Sequence, residues 1–280
     1  MSAHLEPGSG AAAASGIARV VPAGSPGHPD PVLQCQGLSV FRGQQPLVTG
    51  IDLDFGRHEV TAIVGAPGAG KTALLRSLNR MMDLDSVYRS VGRVLLDGED
   101  LRGAGVDVLA LRSRVVLLPA QPTAFRMSVF DNVAYGARLH GLAPDRTELE
   151  RRVRDSLQVA GLFDDVRDRL RGSPEALRPE QLHRLCIARA LALEPQVLLF
   201  ENPCQGLDPT AAARIEDLAH GLAARCSVIL TVQSMQMAGR VARRIAFLHA
   251  GRLIEVNGAD ELLTTPRHRL TEAYVTGRVA

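Results

Sequence analysis

A glycine-rich segment at residues 65–72 carries the clearest chemistry in this chain. It consists of Gly65-Ala66-Pro67-Gly68-Ala69-Gly70-Lys71-Thr72, which matches the pattern G-x-x-x-x-G-K-[ST], whose backbone N–H groups cradle phosphates. Lys71 is the only lysine among the 32 lysines and arginines of the chain. A compact ammonium on a long stem can reach the β- and γ-phosphates between inward-pointing N–H groups. The segment therefore predicts nucleotide binding, with the Thr72 hydroxyl on Mg²⁺.

The surrounding sequence predicts the elements that position this segment. An apolar run at residues 60–64 predicts a strand that leads into the loop, and residues 73–75 begin a helix that leaves it; the pattern requires this order of strand, loop and helix. Apolar runs bounded by turn residues predict three more strands, at 32–40, 47–55 and 91–96. Leu96-Asp97-Gly98 predicts a hairpin turn after the last of these. The first part of the chain is therefore expected to be rich in β-structure.

A helical part is predicted next. Thr147 and Glu150 have the spacing of a capping box, and apolar residues follow at helical spacing until Gly161 ends the run. Another helix is predicted from about Pro179 to Leu193. Two later apolar runs are continuous, as strands buried on both faces require: residues 197–200 and 228–230. Together these elements predict an α/β fold with a parallel core.

Composition narrows the classes of function. A chain of 280 residues with 46% hydrophobic and 22% charged residues is typical of a soluble protein with a full core. A net charge of +2 and 4% aromatic residues argue against a nucleic-acid partner. The four cysteines lie far apart without metal-ligand spacing and are expected to be reduced thiols. No apolar run reaches membrane-spanning length, and the N-terminus lacks the pattern of a secretory signal. Residues 1–31, rich in Ala, Gly and Pro, predict a disordered tail.

Motifs in the second half of the chain resemble those of one family. With the glycine-rich segment, they look like an ATP-binding cassette (ABC) subunit: residues 184–190, 197–199, 203–204, 207–209 and 214–216. Further segments are similar to the branch of that family that serves the bacterial phosphate importer, the Pst system: residues 79–81, 122–123, 125, 127–132 and 271–278. The resemblance covers residues 32–280.

The resemblance implies a P-loop NTPase cassette with a RecA-like parallel-sheet core, an antiparallel β subdomain and an α-helical subdomain at about residues 122–188. It implies ATP and Mg²⁺ as cofactors. It also implies membrane-spanning permease subunits and a second cassette as partners, in a homodimer or heterodimer. The chain would be peripheral, on the cytoplasmic face of the plasma membrane. Each ATP would lie between the phosphate loop of one cassette and the signature helix of the other.

The acidic pair that the family carries after a core strand departs from the pattern. The resemblance places Asp-Glu where this chain has Glu201-Asn202. Glu201 keeps a carboxylate, one methylene further out, and is expected to contact Mg²⁺ through water. Asn202 occupies the catalytic position but cannot accept a proton, and a missing general base typically costs about 10²- to 10⁴-fold in rate. Hydrolysis is therefore expected to be slow, unless Asn202 orients the attacking water by hydrogen bonding.

Two further positions near the expected γ-phosphate also differ. The family's Mg²⁺-contacting glutamine falls on Ala120, and Gln121 could replace it only if the loop bulges, because a one-residue slip turns a side chain to the other face. Gln233 stands where the family has a catalytic histidine, and glutamine donates a hydrogen bond without ever carrying charge. Loss of the first contact and weakening of the second are expected.

The signature segment and the adenine-stacking position are altered as well. Leu177-Arg178-Pro179-Glu180-Gln181 stands where the family has Leu-Ser-Gly-Gly-Gln. Pro179 lacks an N–H and Glu180 is expected to repel the partner's γ-phosphate, with Arg178 offsetting part of the repulsion. The alternative is a helix kept for packing after its ligand contact was lost. Phe41 and Arg42 precede Gly43, and either could stack on the adenine through its ring or its guanidinium.

Three functions therefore remain open. The chain could be a working ATPase subunit whose substitutions compensate one another. It could instead be a catalytically degenerate cassette that acts as the regulatory or heterodimer partner of an intact ATPase subunit, or a soluble nucleotide sensor. The preferred interpretation is an ATP-binding subunit of an ABC importer for inorganic phosphate, with impaired hydrolysis.

Overall fold

The computed structural model describes residues 27–278. The strands are β1 (Pro31–Arg42), β2 (Gln45–Gly56), β3 (Val60–Val64), β4 (Tyr88–Leu96), β5 (Glu99–Asp100), β6 (Val115–Leu118), β7 (Val197–Glu201), β8 (Ser227–Val232), β9 (Arg244–His249) and β10 (Arg252–Gly258). The α-helices are α1 (Lys71–Ser77), α2 (Val108–Arg114), α3 (Val129–Leu139), α4 (Arg146–Val159), α5 (Phe163–Val166), α6 (Pro179–Leu191), α7 (Pro209–Leu222), α8 (Met235–Val241), α9 (Ala259–Thr264) and α10 (Arg269–Val275). Short 3-10 helices lie at Met81–Leu84, Arg167–Arg169 and Pro174–Ala176.

A six-stranded sheet forms the core of the described residues, in the order β10-β9-β3-β8-β7-β6. Its strands pair in parallel except β10, which runs antiparallel to β9 at one edge. All residues of β3, β7 and β8 are buried, as continuous apolar runs in a sheet covered on both faces require. The predicted parallel α/β core is confirmed.

A second, antiparallel sheet has the order β2-β1-β4-β5. At its edge β4 turns into β5 through Asp97 and Gly98, which have φ angles of 51° and 82°. Positive φ at both central residues is the signature of a two-residue hairpin turn of type I′. The hairpin predicted there is confirmed, and β1 begins at Pro31, one residue before the predicted strand. Residues 1–26 of the tail predicted at 1–31 lie outside the described residues.

The helices α3, α4 and α6 pack against one another beside the core sheet. The start of α4 differs from the prediction: its N-cap is Asp145, whose carboxylate accepts a hydrogen bond from the Glu148 N–H, while Thr147 lies inside the helix. A carboxylate at the N-cap satisfies one of the otherwise unpaired N–H groups of the first turn. Gly161 ends the run with φ 64°, as predicted. Because α6 ends at Leu191, it is shorter than predicted.

The core sheet separates two apolar clusters. Strand β3 contributes Ala62 and Val64 to the cluster beneath the helical part, and Ile63 to the cluster shared with the antiparallel sheet. Helix α1 packs Leu74 and Leu75 into this second cluster. Since side chains alternate along a strand, β3 ties the two layers together at the point where the glycine-rich loop begins.

The cysteines form no disulfide. Burial raises the pKa of the Cys204 and Cys226 thiols to about 12, and burial also raises the pKa of Cys35 and Cys186. Thiols with raised pKa values are poor nucleophiles and metal ligands. Among the described residues, no helix combines the length and the apolar character needed to cross a bilayer.

Candidate functional site

The glycine-rich loop joins β3 to α1 in a conformation that needs its glycines. Gly65, Gly68 and Gly70 have φ angles of 150°, 79° and 97°. A Cβ at Gly70 would lie 2.5 Å from Val48 Cγ1 and 2.6 Å from Leu47 O on β2, and one at Gly65 would overlap the carbonyl oxygen of Leu248 on β9. The loop is thus pressed against two neighbouring strands. The order of strand, loop and helix predicted for residues 60–75 is confirmed.

Lys71 is the first residue of α1 and lies within the curve of this loop. Its Nζ donates hydrogen bonds to the carbonyl oxygens of Gly65, at 2.5 Å, and Ala66, at 2.8 Å. The side chain is buried, and burial lowers the pKa of the ammonium from 10.5. Among the described residues, no carboxylate forms an ion pair with Lys71. Its positive charge is therefore available to an anion.

A cleft of about 610 Å³ opens beside Lys71. It is lined by Leu47, Pro67, Gly68, Gly70, Lys71, Thr72, Ala73, Arg76, Met81, Met82, Asp85, Tyr88, Asn202 and Gln233. The three remaining loop residues do not line it: Gly65 and Ala66 accept hydrogen bonds from Lys71, and Ala69 is buried with its N–H donating to the Ala66 carbonyl. The volume falls in the range typical of small-molecule sites, about 300 to 1,000 Å³. The lining combines the loop and two basic side chains with apolar and aromatic ones, which suits a phosphorylated ligand with an uncharged ring.

Tyr88 is the aromatic side chain of the cleft, and sequence reasoning missed it. It lies at the start of β4, directly opposite Arg42 of β1. Directly opposed residues of an antiparallel pair project from the same face of a sheet, so Arg42 shares the face of Tyr88. Phe41 projects from the other face, where the Arg89 guanidinium lies 4.5 Å from its ring centroid. Neither residue lines the cleft itself: Arg42 neighbours Tyr88, and Phe41 projects from the opposite face of the sheet.

Glu201, at the end of β7, is buried and bound by an arginine. Its Oε2 accepts hydrogen bonds from Arg76 Nε at 3.1 Å and Nη2 at 2.8 Å. Arg76 lies on α1, four residues after Thr72, so both residues share one face of that helix. Thr72 is exposed in the cleft. The residues predicted to hold Mg²⁺ are thus connected through Arg76, which shares a helix face with Thr72 and binds the Glu201 carboxylate, while Glu201 itself does not line the cleft.

Asn202 follows Glu201 with φ 43°, in the left-handed region. Asparagine is one of the few residues enriched in that region. Its N–H donates to both the carbonyl and the hydroxyl oxygen of Thr231 on β8, each at 3.1 Å. Asn202 and Gln233 line the same cleft as Lys71. The two positions that the resemblance assigns to catalysis therefore meet at the cleft, with amides where an acid and an imidazole are expected.

The C-terminal helix reaches this site. The Tyr274 hydroxyl on α10 donates to the Gln233 carbonyl at 2.8 Å, and its ring stacks on Phe247 of β9 with centroids 4.9 Å apart. Burial raises the pKa of Tyr274. Sequence reasoning assigned no role to Tyr274, although the resemblance included residues 271–278. This hydrogen bond links the Gln233 carbonyl to helix α10.

The signature segment starts α6, and its acidic residue faces inward. Glu180 is buried and pairs with Arg184, at 2.8 Å, and Arg214 of α7, at 3.3 Å. The Gln181 side chain accepts from the Arg178 N–H at 3.1 Å and closes the first turn. The repulsion expected from Glu180 is corrected accordingly, because two guanidinium groups neutralise its charge. The geometry favours the alternative of a helix kept for packing.

The segment with Ala120 and Gln121 does not line the cleft. Gln121 is exposed and its amide is not among the groups that line the cleft beside Lys71. Within residues 27–278, no three histidine, cysteine or acidic side chains come together as a metal site would need. Mg²⁺ can be held by one or two carboxylates when phosphates and water complete its shell. Here the carboxylate that the resemblance assigns to Mg²⁺, Glu201, is already engaged by Arg76.

Comparisons with known proteins agree with this architecture. The sequence profile of the ABC transporter family matches residues 48–205. CbiO1 of Clostridium perfringens, part of the ABC transporter complex CbiONQ, superposes with a TM-score of 0.72 at 23% identity, over 89% of this chain and 100% of that one. A bacterial Atm1-family ABC exporter with ATP bound gives the same TM-score and identity over 93% of this chain and 44% of that one.

At 23% identity the two structures establish the fold, and the family follows from the profile match across more than half of the chain. ATPase domains of this family bind ATP with Mg²⁺ in general. The glycine-rich loop, the mixed core sheet and the antiparallel sheet are those of its ATP-binding domain. This chain belongs to the ABC transporter family.

Proposed function

We propose that this chain is the ATP-binding subunit of an ABC importer, that its cargo is inorganic phosphate, and that it hydrolyses ATP slowly. The observation that carries the nucleotide assignment is Lys71. Its ammonium is buried in the loop, has no carboxylate partner among the described residues and borders a cleft of about 610 Å³. Burying an unpaired charge is costly unless a ligand compensates it.

Slow hydrolysis follows from the side chains around the expected γ-phosphate. Asn202 and Gln233 both line the cleft and are both amides, which orient water but cannot remove its proton. Glu201, the carboxylate that the resemblance places beside Mg²⁺, is bound to Arg76. A missing general base typically costs about 10²- to 10⁴-fold in rate. ATP binding is therefore retained while turnover is reduced.

The importer assignment and its cargo rest on sequence resemblance to the phosphate branch, including the C-terminal segment 271–278. Within that segment, the Tyr274 hydroxyl donates to the carbonyl of Gln233, which lines the cleft. CbiO1 is part of a transporter complex, in agreement with permease subunits and a second cassette as partners here. The chain would then lie on the cytoplasmic face of the plasma membrane.

A second function has a specific observation in its favour. In a head-to-tail dimer the signature segment serves the partner's nucleotide, and here Pro179 supplies no N–H while Glu180 is committed to Arg184 and Arg214. A homodimer would carry this defect in both sites. The chain would then be a regulatory or heterodimer partner of an intact ATPase subunit.

Equilibrium binding of a fluorescent ATP analogue to the purified chain tests the nucleotide assignment. We expect saturable binding that Lys71→Met abolishes. Lys71→Arg is the matched control for charge, and it should also bind weakly because a planar guanidinium cannot occupy the space between two carbonyls. Full affinity in Lys71→Met would refute the assignment.

Phosphate release from ATP, measured on the same preparation, tests the prediction of slow turnover. The purified chain should release phosphate slowly, alone and with its permease. A rate of phosphate release in the range typical of enzymes, about 1 to 10³ s⁻¹, would contradict the proposal. Reconstitution with permease subunits then distinguishes the importer subunit from the heterodimer partner. Phosphate uptake with this chain as the single type of cassette supports the importer, and uptake that requires a second, different cassette supports the heterodimer.

A further inference from the structure

The face of α1 that borders the cleft presents Thr72 and, one helical turn later, Arg76. In P-loop NTPases, a Ser or Thr of the loop and an acidic residue at the end of a core strand hold Mg²⁺. In this chain those positions are Thr72 and Glu201, and Arg76 lies beside both. A cation thus already occupies the neighbourhood where the divalent ion would bind.

The Arg76–Glu201 pair is well formed, and its carboxylate is shielded from water. Two hydrogen bonds of 3.1 and 2.8 Å converge on one carboxylate oxygen, and the Glu201 side chain is 7% exposed. Removing either partner of such a pair is costly, because it leaves a charge unpaired at low dielectric. Mg²⁺ would therefore have to compete with the Arg76 guanidinium for this carboxylate. The positive charge of the guanidinium would also repel Mg²⁺ at short range.

The other side chains of the cleft offer Mg²⁺ little in return. Asn202 and Gln233 are neutral amides, and Ala120 lacks the oxygen that the family's glutamine supplies. Asp85 also lines the cleft, and one of its oxygens accepts from the Val87 N–H. It belongs to the segment that leads into β4 and Tyr88.

Arg76 can supply the missing positive charge itself. The two hydrogen bonds found for it among the described residues use Nε and Nη2, and Nη1 has further N–H groups to donate. The side chain is 43% exposed and lines the cleft. Guanidinium groups are effective partners of phosphate oxygens. With Lys71, the cleft thus holds two fixed cations.

We propose that Arg76, held in place by Glu201, replaces the divalent cation, so that this chain binds ATP without Mg²⁺. The inference rests on the proposed nucleotide binding and adds the identity of the bound species, metal-free ATP. Slow turnover agrees with it, since no metal is then present to stabilise the developing charge of phosphoryl transfer.

The test is a titration of the purified chain with fluorescent ATP, once with excess Mg²⁺ and once with EDTA. We expect the two dissociation constants to agree within about threefold, a difference of less than 1 kcal/mol. Arg76→Gln should weaken binding in EDTA by about tenfold or more, as expected when a charge-assisted hydrogen bond is lost. Arg93→Gln, at an arginine on β4 that pairs with Asp100 and does not line the cleft, is the matched control and should leave the affinity unchanged.

Two further variants guard against misfolding, since Arg76→Gln leaves Glu201 unpaired. Arg76→Gln/Glu201→Gln removes both charges and should show the same loss of affinity in EDTA, whereas Arg76→Lys should retain part of it. Tenfold weaker wild-type binding in EDTA than in Mg²⁺, or unchanged affinity of both glutamine variants, would overturn the inference and leave nucleotide binding intact. Absence of saturable binding under both conditions would instead refute the proposed function itself.

Discussion

Gly70, the residue before Lys71, allows a direct test of how the phosphate loop is held. In Gly70→Ala the new Cβ would lie 2.5 Å from Val48 Cγ1 and 2.6 Å from the Leu47 carbonyl oxygen, and the residue has φ 97°. Gly68→Ala is the matched control, since Gly68 has φ 79° but a Cβ there meets nothing within 4 Å. The two variants share the backbone strain and differ in the clash with β2.

The strain of a left-handed conformation costs an alanine about 1 to 2 kcal/mol, and overpacking against backbone adds about 1 to 3 kcal/mol. We therefore expect Gly68→Ala to lower the free energy of unfolding by about 1 kcal/mol and Gly70→Ala by about 3 kcal/mol. For a chain of this size, each kcal/mol lowers Tm by about 2 to 4 °C. Urea denaturation and thermal melting of both variants measure the difference.

Equal losses of stability in the two variants would refute the reasoning, because they would show that backbone strain alone determines the cost. Neither variant changes a charge, so their melting curves can be compared at any one pH. A larger loss in Gly68→Ala would contradict the position of the loop against β2.

Asn202→Glu should raise the rate of phosphate release by at least about tenfold by restoring a base, and an equal rise in Asn202→Gln would show that charge is not the missing feature. Tyr274→Phe should lower the free energy of unfolding by about 1 kcal/mol and speed amide exchange near Gln233, while Tyr135→Phe, at an exposed ring, should do neither. Glu180→Ala should destabilise the fold by about 2 kcal/mol by removing the carboxylate that pairs with Arg184 and Arg214, against a change within about 0.5 kcal/mol for the exposed Glu175→Ala; similar values would show that the Glu180 pairs contribute nothing. Because burial lowers the Lys71 pKa, the unfolded state binds the proton more tightly, so stability should rise with pH between the folded-state pKa and 10.5. The free energy of unfolding of Lys71→Met, measured by urea denaturation at alkaline pH, should lack that rise. If the variant and the wild type show the same dependence of stability on pH, the rise does not come from Lys71.

Much of the fold was predictable because its signals are local. Continuous apolar runs marked β3, β7 and β8, and the Asp97-Gly98 turn marked the hairpin, since each pattern reflects the few residues that form it. The start of α4 was mispredicted because two capping signals lie two residues apart, and the carboxylate of Asp145 took the N-cap in place of the Thr147 hydroxyl. Such competition between neighbouring caps depends on the geometry of the preceding loop.

The site divides in the same way. By itself, the sequence determined the phosphate loop, the solitary Lys71 and the amides at positions 202 and 233, because these depend on residue type and spacing along a short segment. Only the tertiary structure decided that Tyr88 borders the cleft, that Glu180 is neutralised by Arg214, and that Arg76 holds Glu201 across 125 positions of the chain. The physical reason is that a charge takes whichever partner the fold brings within reach, and no spacing along the sequence encodes that distance.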